Sequence, residues 1–462
     1  MIGAFTLSEL ASELGLSVTL SALKKDATFS AVTTDSRNMS AGDLYVALKG
    51  ERFNGDEFVE EALTKGAVAA VTHQSDAQAD AQRLVVDDTL SALATLARLN
   101  RDRSSAKVIA LTGSQGKTSV KEMIGSILKA KAPTLITAEN LNNTIGVPLT
   151  LLRLEARHEF AVIEMGANGA GEIAASVAAT KPDIALITKA SAAHIEGFGS
   201  LQGIVLAKGE IIDGLSDKGV AVLNANDPNC QQWVKRAGQR QVRLFSYGNK
   251  VPEADYRCSA TRLLAGGSVV FTLYTPQGEI DAEIQLLGSH NAENALSAAA
   301  CALEAGASLD DVRIGLKQAT PVPGRLFPST GREGCRLLDD TYNANPDSFH
   351  AAIDVLMSAE GEKVMVAGEM RELGDETESS HREVGEYAAR HGVPLLLALG
   401  SDCTAMAEAY LEAGGLRAKH YSDREALEKD CVDLANSETV FLVKGSRGAR
   451  METVVAALSA EG

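Results

Sequence analysis

The densest run of chemistry-bearing residues lies at 108–122, VIALTGSQGKTSVKE, where an apolar stretch runs into two glycines, a lysine and hydroxyl side chains. Small residues at a strand-to-helix turn let backbone N–H groups curl around an anion, the helix N-terminus adds its dipole, and a lysine supplies a point charge. The candidate phosphate cradle is Gly113, Ser114, Gln115, Gly116, Lys117, Thr118 and Ser119, with the Thr118 hydroxyl available to a magnesium ion. It is the short form of the pattern, because the longer P-loop asks for glycine at position 111 and leucine stands there. The plain alternative is a glycine turn with no ligand.

Other polar residues worth attention close apolar runs. Glu164 ends FAVIEMG, where a carboxylate can hold magnesium or polarise water, and Asp340, Glu369 and Lys444 stand at equivalent places further on. His194 follows the run DIALITKAS, with Lys208 14 residues beyond it in LAKGEII. Taken singly, each has an ordinary reading: a solvated strand-end acid, a structural histidine, a surface lysine.

The elements that must carry these residues are legible in outline. Residues 1–103 mix short strands (ATFSAVTTDSR, DLYVALKG, AVAAVTH) with a closing helix, TLSALATLARLNRDR, and HQSDAQADAQ at 73–82 is polar enough for an exposed loop. From 104 to 318, near-continuous apolar runs (KVIALTG, FAVIEMG, DIALITKAS, GVAVLNAND) alternate with helical stretches, which predicts a parallel sheet covered on both faces, of the P-loop ATPase type. ATPVPGR reads as a linker, and from 319 to 462 RLLDDTYNANPDS, KVMVAGEM, PLLLALG and TVFLVKGS resume the alternation of a Rossmann-like unit. The fold class is therefore α/β with three domains. Ligands of such sheets gather beyond the carboxyl ends of the strands.

Bulk properties narrow the function classes. A length of 462 residues implies more than one core, and a net charge of -17 argues against a nucleic-acid surface while leaving room for local positive pockets. Six cysteines, scattered singly with no C-x-x-C pair, read as reduced thiols. The start MIGAFTLSELASELG does not read as a secretion signal, and no run reaches the roughly 18 apolar residues of a membrane span. A cytoplasmic protein is expected.

Taken in order, Gly113–Thr118, TAENLNNTIGVPLTLLRL, IEMGANGAGEI, AHIEGFGS, AKGEI, GSHNAENALSAAA, PGR and DDTYNANPDS resemble the Mur ligases of peptidoglycan synthesis over nearly the whole chain. The resemblance implies ATP-driven amide formation: a peptide carboxylate attacks the γ-phosphate, and the resulting acyl phosphate is attacked by an amine. It places Lys117 and the loop amides on the β- and γ-phosphates, Thr118 and Glu164 on one magnesium ion, and His194 near a second. It matches Lys208 to the family's carbamylated lysine, His290, Asn291 and Asn294 to the adenine side, Arg325 to a phosphate contact and Asp340 to the ribose. Two magnesium ions are implied because two anions cannot approach without neutralisation.

Within the family, TYNANPDS is similar to the branch that adds D-alanyl-D-alanine to UDP-N-acetylmuramoyl-tripeptide, and the D-N-P-R tetrapeptide of the preceding ligase is missing. Tyr342, Asn343, Asn345 and Ser348, with Lys444 and Arg447 of KGSR, are then implied for the dipeptide; an Asn-Pro turn capping a helix is the alternative. Ser36 and Arg37 of TTDSR would contact the diphosphate, and Asn54, Gly55 and Asp56 would read uracil or the sugar. Asn142, Asn143 and Thr144 of NLNNT would line the muramyl and carboxylate end. A monomer is expected. The competing expectations are a ligase for another acceptor amine, such as a folylpolyglutamate-synthase-like enzyme, and an ATP-dependent regulatory switch.

Overall fold

The computed structural model describes residues 1–16, 27–50, 53–73, 82–191, 195–248, 250–264 and 268–459. The polar loop expected at 73–82 falls almost wholly outside the described residues, as does His194.

The first unit is built on four short parallel strands in sequence order, β1 (Val32–Thr33), β2 (Leu44–Val46), β3 (Ala69–Thr72) and β4 (Arg83–Val85). Alternation along β2 and β3 sorts their side chains between two cores: Leu44, Val46, Ala69 and Val71 face one, Tyr45 and Ala70 the other. Helix α1 (Thr89–Asp102), capped by the Asp88 carboxylate on Leu90 N, closes the unit and packs against the helix Gly146–Leu152 of the next. The wholly buried Asn100 stitches this contact, donating to the carbonyls of Leu151 (2.8 Å) and Leu154 (3.2 Å) while accepting from Ile2 N (2.7 Å). The first unit therefore shares one continuous core with a face of the central sheet.

In the central unit, β5 (Lys107–Thr112) leads into α2 (Lys117–Lys131), followed by β6 (Thr134–Ile136), β7 (Phe160–Glu164), β8 (Ile184–Ile187), α3 (Leu201–Asp213), β9 (Val220–Asn224) and β10 (Gln241–Tyr247). These six strands run parallel in the order β6-β7-β5-β8-β9-β10, so β5 is central and its neighbours are buried on both faces, as their apolar runs require. One edge of the sheet departs from the parallel order of these central strands. There β11 (Tyr256–Cys258) continues parallel, but β12 (Val269–Thr275) and β13 (Gly278–Ile284) form an antiparallel hairpin across a short turn. Helices α4 (Ser289–Glu304) and α5 (Leu309–Gln318) cover the face opposite the first unit.

The third unit orders its strands β14 (Phe327–Thr330), β15 (Arg336–Asp340), then after helix α6 (Pro346–Ser358) β16 (Glu362–Gly368), β17 (Leu396–Leu399), β18 (Ala418–Tyr421) and β19 (Thr439–Lys444). The sheet order is β14-β15-β19-β16-β17-β18, parallel except for the β14 edge. The last strand is thus inserted between β15 and β16, which puts the ends of β15 and β19 side by side. All six cysteines are buried and unpaired, and among the described residues no helix is long and apolar enough to cross a membrane.

Candidate active site

The loop after β5 is held from beneath. Gly113 has φ 155°, and a Cβ there would sit 1.9 Å from Thr188 Oγ1, so only glycine lets the chain pass the end of β8. Ser114 N donates to Lys189 O (2.8 Å), Ser114 Oγ to Ser191 O (3.0 Å), and Thr188 Oγ1 to Gln115 O (2.7 Å). Gly116 (φ 78°) starts α2 without a side-chain cap, and a Cβ there would meet Asn294 Oδ1 at 2.5 Å. The first-turn N–H groups of α2 are the orphan donors that such a helix presents to an anion. Lys117 folds back so that Nζ donates to Gly113 O (2.7 Å). Its enclosure lowers its pKa below the ordinary lysine value; Glu164 opposes that shift and Arg325 adds to it.

Register brings the next groups alongside. Glu164 is the last residue of β7, level with Leu111, and only 1% exposed. Its Oε1 accepts from Asn142 Nδ2 (2.8 Å) and Thr118 Oγ1 (3.3 Å), whereas buried Oε2 has no hydrogen-bond donor among the described residues. Lys121, one helical turn after Lys117, is wholly buried with Nζ 3.9 Å from that oxygen and 2.9 Å from Glu122. Sequence reading passed over Lys121 because a lysine inside a helix normally reaches solvent. Lys208 projects from α3 and is also buried; desolvation first, then the Lys117 charge, pushes its pKa well below the usual lysine range. Asn143 Oδ1 accepts from Ile145 N (3.2 Å) and Gly146 N (2.8 Å) in the turn before the helix Gly146–Leu152, and Thr144 sits in the same turn.

The opposite wall comes from α4 and the third unit. Asn294 Nδ2 donates to Asn291 Oδ1 (3.0 Å) and Asn291 Nδ2 to Leu287 O (2.8 Å), the three-residue spacing placing both on one helix face. His290 beside them is held neutral by burial, its pKa pushed down to about 4. Asn224, which sequence reading missed, bridges Thr188 O (3.0 Å) and Glu293 Oε1 (2.8 Å); the partners lie on different elements, so no local pattern announces them. Arg325 crosses from the third unit, Nη2 donating to Thr118 Oγ1 (2.9 Å) with its guanidinium 4.3 Å from the Tyr342 ring centre. Asp340 accepts from Lys444 Nζ (2.6 Å), which also donates to Asn343 O (2.9 Å). Asn345 and Ser348 form a reciprocal capping box at the start of α6, with Pro346 in its first turn; the cap is Asn345, with Ser348 completing the box and Asp347 taking no part in it.

These groups surround one cavity of about 350 Å³. Its wall includes the loop from Ser114 to Lys117, Ser119, Asn142, Asn143, Glu164, Lys208, His290, Asn291, Asn294 and, from the third unit, Arg325, Asp340, Tyr342, Asn343, Asn345, Ser348 and Lys444. Arg447 stands back from it, its guanidinium carbon 5.9 Å from the Tyr342 ring centre. The first-unit residues also lie outside it. Arg37 is exposed and pairs with Asp35 (2.7 Å), while Ser36 is buried with Oγ 3.4 Å from Glu61. Asn54 caps the turn on Asp56 N (3.3 Å), and Gly55 N donates to Leu48 O (2.7 Å). Buried Asp56 accepts from Thr72 Oγ1 (2.7 Å) and His73 N (3.1 Å).

Three family descriptions match in chain order: "Mur ligase family, catalytic domain" over residues 28–101, "Mur ligase middle domain" over 111–302 and "Mur ligase, glutamate ligase domain" over 324–447. The chain is 45% identical, over 95% of its length and 95% of the other's, to the UDP-N-acetylmuramoyl-tripeptide--D-alanyl-D-alanine ligase of Escherichia coli. It superposes with a TM-score of 0.89 on a crystal structure of MurF from Acinetobacter baumannii, 36% identical and covering 98% of each chain. A MurF ligase from Thermotoga maritima in complex with ADP matches with a TM-score of 0.82 at 27% identity, over 92% of this chain and 96% of that one. Matched in all three units, with the strand-end residues converging on one cavity, the chain belongs to the Mur ligase family.

Proposed function

We propose that the chain joins D-alanyl-D-alanine to UDP-N-acetylmuramoyl-tripeptide with the conversion of ATP to ADP and phosphate. It is an ATP-dependent ligase of peptidoglycan precursor synthesis, and the reaction proceeds through an acyl phosphate. The observation that carries the reading is the single cavity in which an uncapped helix N-terminus, two enclosed lysines, a buried carboxylate and a third-unit arginine meet. We take residues 1–103 as the UDP-substrate unit, 104–318 as the ATP unit and 319–462 as the unit that binds the dipeptide and closes on ATP.

In this reading the backbone of Gly113–Gly116 and Lys117 bind the β- and γ-phosphates, and Arg325 reaches the same phosphates from the third unit. His290, Asn291 and Asn294 frame the adenine, and Asp340 the ribose. Asn142, Asn143 and Thr144 orient the tripeptide carboxylate toward the γ-phosphate; Tyr342, Asn343, Lys444 and Arg447 frame the dipeptide, with Asn345 and Ser348 shaping the helix start beside it. Ser36, Arg37 and the 54–56 turn carry the uridine end. Closure excludes water, which would hydrolyse the acyl phosphate.

The residues present fit magnesium: Glu164 offers a buried oxygen with no donor beside the Thr118 hydroxyl, a hard-oxygen set suited to that ion. Thr118 and Glu164 would hold one ion, His194 and Lys208 the second, and the ions supply charge neutralisation between carboxylate and phosphate. Burial favours the neutral amine of Lys208, the form that reacts with carbon dioxide to give a carbamate. Rescue of Lys208→Ala by short carboxylic acids tests that modification. We read the protein as a monomer of the cytoplasm.

The decisive experiment measures phosphate release with ATP, the UDP-tripeptide and a panel of acceptor amines. Release that requires both substrates and prefers D-alanyl-D-alanine is expected. Release indifferent to the dipeptide would sink this reading and favour a nucleotide switch; preference for another amine would reassign the acceptor.

A further inference from the structure

Gln115 sits in the middle of the phosphate loop, yet its side chain is directed across the cavity to the third unit. Nε2 donates to Asn345 Oδ1 at 2.9 Å and lies 3.4 Å from both Asp347 Oδ2 and Ser191 Oγ. Asn345 Oδ1 is the atom that also accepts from Ser348 N (2.9 Å) to cap α6. Asp347, in the first turn of α6, faces Lys189 Nζ at 3.8 Å, and Lys189 O holds Ser114 N. The main chain of Gln115 is fixed at the same time by Thr188 Oγ1 on its carbonyl. One residue thus joins the bend of the phosphate loop to the N-terminus of α6, 230 residues away in sequence.

The residue type suits the connection. A carboxylate in its place would set a negative oxygen against Asn345 Oδ1 and the Asp347 carboxylate, and an alanine would end before reaching either. Anion binding acts on the loop through the N–H groups of Gln115, Gly116 and Lys117, since that of Ser114 is held by Lys189 O, so any adjustment of the loop around phosphates is carried through Gln115 to the turn bearing Asn343, Asn345 and Ser348.

We infer that Gln115 is a positioning residue that couples occupancy of the phosphate loop to placement of the α6 N-terminus, and through it to the grip on the acceptor. The inference rests on the dipeptide reading above for its acceptor, though not for the tie itself. Coupling between two ligands is reciprocal, so nucleotide tightens the dipeptide and the dipeptide tightens nucleotide by one factor.

The test compares the parent with Gln115→Ala and Gln115→Glu, after thermal melts show that each folds. Calorimetry measures D-alanyl-D-alanine affinity with and without a non-hydrolysable ATP analogue, and analogue affinity alone. Loss of one shared hydrogen bond should shrink the coupling factor roughly 3- to 10-fold in Gln115→Ala, and more in Gln115→Glu, whose added charge also weakens the analogue itself. In steady state the dipeptide KM rises, and the ATP KM at saturating dipeptide rises with it. A coupling factor equal to the parent's in Gln115→Ala overturns the inference, and if analogue affinity falls there while the coupling factor is kept, the amide acts on the phosphates instead. Small-angle scattering reads the tie without any dipeptide: the analogue should compact the parent more than Gln115→Ala, and equal compaction overturns the inference. A parent that bound no D-alanyl-D-alanine would fail the proposed function, and scattering would then decide the tie alone.

Discussion

At the phosphate loop, glycines bend the main chain so that the first N–H groups of α2 are left without a side-chain cap, and Lys117 keeps donors to spare beyond its bond to Gly113 O. At the 54–56 turn the same kinds of residue are engaged internally: Asn54 caps Asp56 N, Gly55 bonds Leu48, and Asp56 takes Thr72 and His73. Both segments read alike in sequence, a glycine among polar residues at the end of a strand. The difference is which polar atoms the fold leaves free. A loop that withholds its donors from the protein is poised for a ligand; one whose acceptor is consumed by a neighbouring strand is holding that strand in place.

The largest effect that could break this contrast is expected at Lys117. Lys117→Ala should cut phosphate release in the full reaction about 10²–10³-fold while leaving circular dichroism unchanged, because one preorganised charge at the transferred phosphoryl group is lost. Activity close to the parent's would place the loop in the same class as the 54–56 turn.

Asp56→Ala should behave in the opposite manner. The Thr72 hydroxyl, fully buried, and His73 N would lose their acceptor, and urea unfolding should register a loss of about 2–4 kcal/mol. The KM for the UDP-substrate in the fraction that remains folded tells whether Asp56 also meets ligand, as the uridine reading of this turn expects; a stable variant would show that its bonds to Thr72 and His73 do not hold the strand.

How much of this was legible follows from locality. The parallel strands announce themselves as continuous apolar runs, and the loop and Glu164 fall at their ends, with Lys208 found instead through the family motif AKGEI on the helix that follows, so sequence reading reached the centre of the cavity. The β12–β13 hairpin was missed because its signal is alternation, VVFTLYT with buried residues at every second place, and attention to continuous runs overlooks it. Lys121, Asn224 and the Gln115–Asn345 contact were illegible for a different reason: each depends on elements that meet only in three dimensions. The bonding of Asp56 to Thr72 and His73 was hidden in the same way.

His290 offers a smaller and pH-dependent test. Its pKa, held down to about 4 from 6.5 by burial against the opposing pull of Asp340, means that the unfolded chain binds this proton first as the pH falls. Stability should therefore be undiminished by this group above about pH 6.5 and decline as pH drops toward 4, by up to about 2 kcal/mol after allowance for partial exposure. His290→Asn should flatten that part of the urea-unfolding profile by one proton. An unchanged slope would mean that the nucleotide side of the cavity is wetter than its packing implies, and would weaken the picture of donors held apart from water.

The smallest effect on the protein itself is expected at Arg37, and it separates two residues of the first unit that the sequence treats together. Its guanidinium is exposed and held by Asp35 through paired hydrogen bonds, an arrangement that also keeps the Asp35 carboxyl near a pKa of about 2. An exposed pair of this kind adds little to folding and is screened by salt. Arg37→Ala should thus leave the melting temperature where it was, while raising the KM for the UDP-substrate roughly 10-fold if the fork meets a diphosphate, and less so at high salt. Set beside Asp56→Ala, which should lower stability, a KM effect without a stability effect would show that the first unit keeps one ligand-facing polar group beside a structural one. No change in either quantity would mean that both turns of this unit are scaffold, and that the uridine end is gripped elsewhere.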